Sequence, residues 1–129
     1  MNMRFEHVAI NVPDSRAMAD WYVTHCGLRI VIKIDDPPYT RFLADQQGIT
    51  CIEIYQNPEA PIPDYHQQHH LVYHNAFTVD DLDESKNILI ESGASFVEDL
   101  ELPNGTRLLM LKDPWGIPLQ LVNRVNPWY

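Results

Sequence analysis

The sequence predicts an α+β fold made of two β-α-β-β-β modules. Three observations point there. Strand-like alternation and helix-like periodicity follow one another in the same order twice. A proline-rich stretch separates the two series, and matching residues recur 67 positions apart.

In the first half, FEHVAINV alternates as a strand, with Val8, Ile10 and Val12 on one face and His7, Ala9 and Asn11 on the other. Pro13 and Asp14 then open a helix that runs through ADWYVTHC and stops at Gly27, which accepts the left-handed backbone of a helix end. Trp21 and Tyr22 belong to the core side of that helix. LRIVIKI, YTRFLA and ITCIEIY read as three strands, separated by DDPP and DQQG, both strong turn formers.

Residues 57–70, NPEAPIPDYHQQHH, hold three prolines and no apolar period, as a solvent-exposed connector would. After it the order repeats. LVYHNAFTV is strand-like, DDLDESKNILIESG is a helix ending at Gly93, and SFVEDLEL, TRLLMLK and IPLQLVNR are three further strands. His7, Ala9, Val12 and Asp14 return as His74, Ala76, Val79 and Asp81. Glu53 follows His7 by 46 residues and Gln120 follows His74 by the same 46. The expected organisation is a single domain over 1–129, with module one at 1–56, the connector at 57–70 and module two at 71–129. Two such modules side by side can enclose a central cavity, where function should be sought.

Composition narrows the functional classes. A chain of 129 residues with 45% hydrophobic and 21% charged residues can bury one real core. The net charge of −9, with no Lys/Arg cluster, disfavours nucleic acid and anionic membranes as partners. No apolar run approaches the roughly 20 residues of a membrane span and no secretory leader is evident, so the cytoplasm is the expected location. Cys26 and Cys51 fit no zinc spacing and are read as buried or half-buried thiols without chemistry.

Four polar residues stand out. Glu53 lies between Ile52 and Ile54, and Gln120 between Leu119 and Leu121, so each projects through its strand away from apolar neighbours. With His7 and His74 they are read as sitting in strand interiors, where an unpaired carboxylate costs several kcal/mol. One divalent cation, Zn, Ni, Co, Fe or Mn, held by His7, Glu53, His74 and Gln120, would compensate. The plainer alternative has the histidines hydrogen-bonded within their strands and Glu53 paired with Arg41 or Arg29. His66, His69 and His70 lie in the connector without a regular ligand spacing and are read as solvated.

FEHVAINVPD with His7, the WYVTHCGL helix end, IEIYQNP with Glu53, HNAFTVDD with His74, and DPWGIPLQL together resemble the vicinal oxygen chelate superfamily. That superfamily includes glyoxalase I, extradiol dioxygenases and bleomycin-binding proteins. The resemblance implies paired modules forming a half-open barrel, metal ligands on the first and last strands of each module, and a homodimer. It also implies a small-molecule substrate. The residue usually found at the place of Gln120 is Glu, which in glyoxalase I-like relatives shuttles a proton. An amide can ligate but cannot serve as that base, so S-lactoylglutathione is disfavoured as a substrate.

The reading that follows is a glyoxalase-like, metal-dependent enzyme of the lyase, isomerase or dioxygenase class acting on an oxygen-chelating substrate. Glu53 is its candidate base, and Tyr55, on the same face, its candidate donor or orienting group. Tyr39 and Arg41 either line the cup or are ordinary strand surface. The alternative function is a metal-free, drug-binding protein of the bleomycin-resistance type that uses aromatic stacking.

Overall fold

The computed structural model describes residues 1–48 and 51–129. The start of the predicted strand 49–55 and the Cys51 thiol lie outside the described residues. Each half of the chain has the predicted order of elements. The first contains β1 (Val8–Asn11), α1 (Ser15–Cys26), β2 (Arg29–Lys33), β3 (Arg41–Ala44) and β4 (Cys51–Tyr55). The second contains β5 (Asn75–Thr78), α2 (Leu82–Glu91), β6 (Ser95–Glu101), β7 (Arg107–Lys112) and β8 (Pro118–Asn123). Two compact units result, Met1–Pro63 and Asp64–Tyr129. No helix among the described residues is long and apolar enough to cross a membrane.

The matched aspartates explain how both helices begin. The Asp14 side chain accepts from the Ala17 N–H at 3.1 Å, and the Asp81 side chain accepts from the Glu84 N–H at 2.9 Å. Each satisfies a backbone donor that the first helical turn leaves without a partner. α1 stops at Gly27, whose φ of 69° no β-branched residue would adopt cheaply.

Each unit forms one four-stranded sheet, in the order β1-β4-β3-β2 in the first and β5-β8-β7-β6 in the second. The first and last strands of a module are parallel neighbours, and the other pairs are antiparallel. The alternation read from the sequence sets the faces. Ile10, Val12, Leu43 and Ile54 are buried together with Met18, Ala19, Trp21 and Tyr22 of α1. In the second unit Leu109, Leu111, Leu119 and Leu121 are buried with Leu82 and Leu89 of α2.

The connector departs from expectation. Tyr65–Gln67 form a turn of 3-10 helix, and Tyr65 is buried. The Lys112 ammonium, at the end of β7, donates to the carbonyls of Tyr65, His66 and Gln68 at 3.2, 2.9 and 2.8 Å. Gly116 lies so close beneath this turn that a Cβ there would meet the His66 nitrogen at 2.5 Å. The half of the connector after Asp64 is therefore a built part of the second unit. LVYH does not extend β5 either, because the Val72 N–H turns back to the His69 carbonyl and the Leu71 N–H to the His69 ring.

Candidate functional site

Strand register assembles the first half of the site. Glu53 on β4 lies opposite Ala9 of parallel β1 on one side and Phe42 of antiparallel β3 on the other. Directly opposed residues share a face, so these three stand together on the face away from Ile54, and Tyr55 stands one step along, opposite Asn11. His7 lies just before β1 and not within it, a correction to its predicted strand-interior position. Its Nε2 is 3.1 Å from Glu53 Oε2, with the two side chains 31% and 19% exposed. Its Nδ1 is 2.8 Å from Glu6 Oε1, and the Phe42 ring meets the imidazole edge-on at 5.2 Å between centroids. His7 is thus bracketed by two carboxylates beside an apolar wall, a place that attracts positive charge.

The arginines offered as partners of Glu53 are engaged elsewhere. Arg41 is buried and donates to the Ile34 and Thr40 carbonyls and to Asp35, while Arg29 donates to the Asp45 carbonyl. Arg41 also pairs with Ile54, which puts it on the face opposite Glu53 and off any cup lining. The guanidinium of Arg16 covers the ring of Tyr39, whose carbonyl accepts from the Ser15 hydroxyl, so Tyr39 serves the packing of its own loop.

The second module repeats the register. Gln120 on β8 lies opposite Ala76 of β5 and Met110 of β7, as Glu53 lies opposite Ala9 and Phe42. His74 again precedes its strand rather than sitting inside it. Its Nδ1 faces the His70 carbonyl at 3.4 Å. Flanking His74, the Tyr73 hydroxyl donates to Asn75 Oδ1 at 2.6 Å. Burial pushes the Tyr73 phenol up to about 12, with a smaller push from Tyr65. His70 is not solvated as its loop setting suggested: its side chain is 13% exposed, its Nε2 is 2.9 Å from Glu98 Oε1, and its ring stacks on that of His69.

The side chains of His7 and Glu53 are therefore brought into contact, and Gln120 occupies the register place of Glu53 in its own module. Among the described residues no group of three or more His, Cys, Asp and Glu side chains is gathered to hold a metal ion. Glu6 and Phe42 were missed in the sequence. Phe42 is found only through the register of β3 against β4, and Glu6 carries no periodic signal.

A family model for the glyoxalase/bleomycin resistance protein/dioxygenase superfamily matches residues 4–121. The chain belongs to that superfamily. Its fold is shared with a glyoxalase family protein from Bacillus cereus at a TM-score of 0.76 and 20% identity, over 95% of this chain and 94% of the other. A glyoxalase family protein from Enterococcus faecalis matches with a TM-score of 0.65 and 26% identity, over 93% and 97%. The bleomycin resistance determinant encoded on transposon Tn5 matches with a TM-score of 0.63 and 17% identity, over 96% and 100%. Among curated proteins none matches. The superfamily's name covers both enzymes and a resistance protein, so membership alone does not assign a reaction.

Proposed function

We propose that this superfamily member is a divalent-metal-dependent enzyme that acts on a small substrate chelating through adjacent oxygens. The observation that carries the proposal is the His7–Glu53 pair, two ligand-type side chains 3.1 Å apart, one just before β1 and the other on its parallel neighbour β4. An imidazole nitrogen and a carboxylate oxygen suit a borderline transition-metal ion. His74 and Gln120, at the equivalent offsets of module two, are the other donors the proposal calls on, within one chain or across a homodimer.

With one carboxylate and three neutral ligands, a bound divalent ion would keep a charge of about +1 and polarise substrate oxygens as a Lewis acid. The chain's own groups do the rest. Glu53 carries the charge that anchors the cation and is the one base in the ligand set; Gln120 can orient but cannot take a proton. Phe42 excludes water beside His7, and Tyr55, on the Glu53 face, supplies a phenol to orient or protonate the substrate.

Elemental analysis of protein purified without chelator tests this, with about one transition metal per chain expected and its loss expected in His7→Ala and Glu53→Ala. A wild-type protein that takes up no added metal and gains no stability from it would overturn the proposal. It would favour a metal-free binding protein using Phe42 and Tyr55 as an aromatic wall, the second reading, which rests on the Phe42 ring standing edge-on beside His7.

A further inference from the structure

The row of side chains that carries Glu53 runs on to the edge of its sheet. Ala9 on β1, Glu53 on β4, Phe42 on β3 and Ile32 on β2 stand opposite one another in turn, and directly opposed residues share a face. We propose that Phe42 and Ile32 form an apolar subsite that grips a hydrocarbon substituent of the chelated substrate, selecting alkyl- or aryl-bearing molecules over small polar ones. The inference rests on the reading of His7 and Glu53 as the metal-holding part of the same row.

A β-bulge builds the subsite. Ile30 lies opposite Leu43, so an unbroken register would bring Val31 opposite Phe42 and turn Ile32 toward Arg41, on the face away from Glu53. The register shift between Ile30 and Ile32 leaves Val31 as the extra residue and sets Ile32 beside Phe42 instead. β2 is an edge strand, and Ile32 on it is 48% exposed, so apolar surface remains there for a ligand to cover. Phe42 links this end of the row to the site, since its ring meets the His7 imidazole.

The second module shows that the place is not apolar by default. Its equivalent row is Ala76, Gln120, Met110 and Glu98, with a register shift again, between Phe96 and Glu98. A carboxylate stands where Ile32 stands in module one, and it is engaged by His70 at 2.9 Å. The apolar end therefore belongs to the Glu53 row alone. Two strand spacings, about 10 Å, separate the backbones of Glu53 and Ile32, a gap that one ring or a short alkyl chain bridges from a pair of chelated oxygens. Two side chains offer far less than the roughly 800 Å² per partner of a stable protein interface, which suits a substituent of a small molecule and not a second chain.

The test uses the full-length protein loaded with Zn2+ and a series of probes, catechol and its 4-methyl, 4-ethyl, 4-propyl and 4-butyl derivatives, with Kd read by calorimetry. In the wild type, affinity is expected to rise about threefold per added methylene. Ile32→Ser is expected to flatten that rise while leaving the affinity for catechol itself unchanged, and Ile32→Leu to keep it. Ile88→Ser, an equally exposed isoleucine on α2, is expected to alter neither. The proposal is overturned if the wild-type series is flat while catechol binds, or if Ile32→Ser keeps the full rise. It is also overturned if Ile32→Ser leaves the series unchanged but dissociates a dimer in sedimentation, which would give the patch to a second copy. If Zn2+ is not taken up and metal-free protein shows the same Ile32-dependent rise, the metal reading fails and the apolar subsite stands. If no catechol binds in either form, both fall.

Discussion

The DPWG turn that delivers β8 and Gln120 hangs on one buried carboxylate, and its removal should be costly in a calculable way. Asp113 is 1% exposed, and a single oxygen, Oδ1, accepts from the Trp115 and Ile117 N–H groups at 2.9 Å each. A hydrogen bond to a charged group contributes about 1.5–3 kcal/mol. In Asp113→Ala the buried Ile117 N–H loses its acceptor with no water to replace it, while the half-buried Trp115 N–H recovers part of its loss. A destabilisation of about 3–4 kcal/mol follows. Asp113→Asn keeps an oxygen at the same place but without charge, so about 1–2 kcal/mol is expected. Urea unfolding followed by tryptophan fluorescence, with an unchanged slope against urea, measures both. The reasoning is refuted if the alanine variant loses less than about 1 kcal/mol, or if asparagine costs as much as alanine.

Removing either helix cap, by Asp14→Ala or Asp81→Ala, should cost about 1 kcal/mol each, and because the caps lie in separate units the double variant should show the sum in the same urea assay. Arg107 donates to both oxygens of Asp83 and of Asp99, and its guanidinium holds both carboxyls below their usual range. Their folded-state values being depressed, that stabilisation is present above the unfolded value of about 3.9 and is lost as pH falls through the folded values. Arg107→Gln should flatten the acid limb of urea midpoint against pH, and an unaltered limb would count against the network. The Tyr73 phenol, raised to about 12, should appear as a late step in the ultraviolet titration of tyrosinate. Stability tied to it is present below the ordinary value and is lost as pH rises through the folded one. Tyr73→Phe should remove the late step and no other.

The parts of the fold that were legible depend on local chemistry or on strict period. Alternation placed Ile10, Val12, Ile54, Leu119 and Leu121 on buried faces, and the repeat of Asp14 and Asp81 foretold both helix starts. Contacts that join distant residues were not legible. Nothing near Tyr65 announces that Lys112, 47 residues on, will collect its carbonyl. The bonds that keep residues 69–72 in a turn arise from His69, whose ring and carbonyl offer the backbone an alternative to a strand. Of the candidate site, the matched offsets pointed to Glu53 and Gln120, and register put both at equivalent places. The apposition of His7 with Glu6 and Phe42 needed side-chain positions that spacing cannot supply.

Two side chains far apart in sequence determine where this chain can tolerate added length. Asn11 donates to the carbonyls of Asn57 and Ala60, fastening that stretch to the first unit, and Lys112 gathers residues 65–68 into the second. Only a few residues around Pro61–Pro63 lie between these anchorages. Natural or engineered insertions should be absorbed there, whereas the same residues added after Asp64 would have to tear an ammonium group from its carbonyl nest.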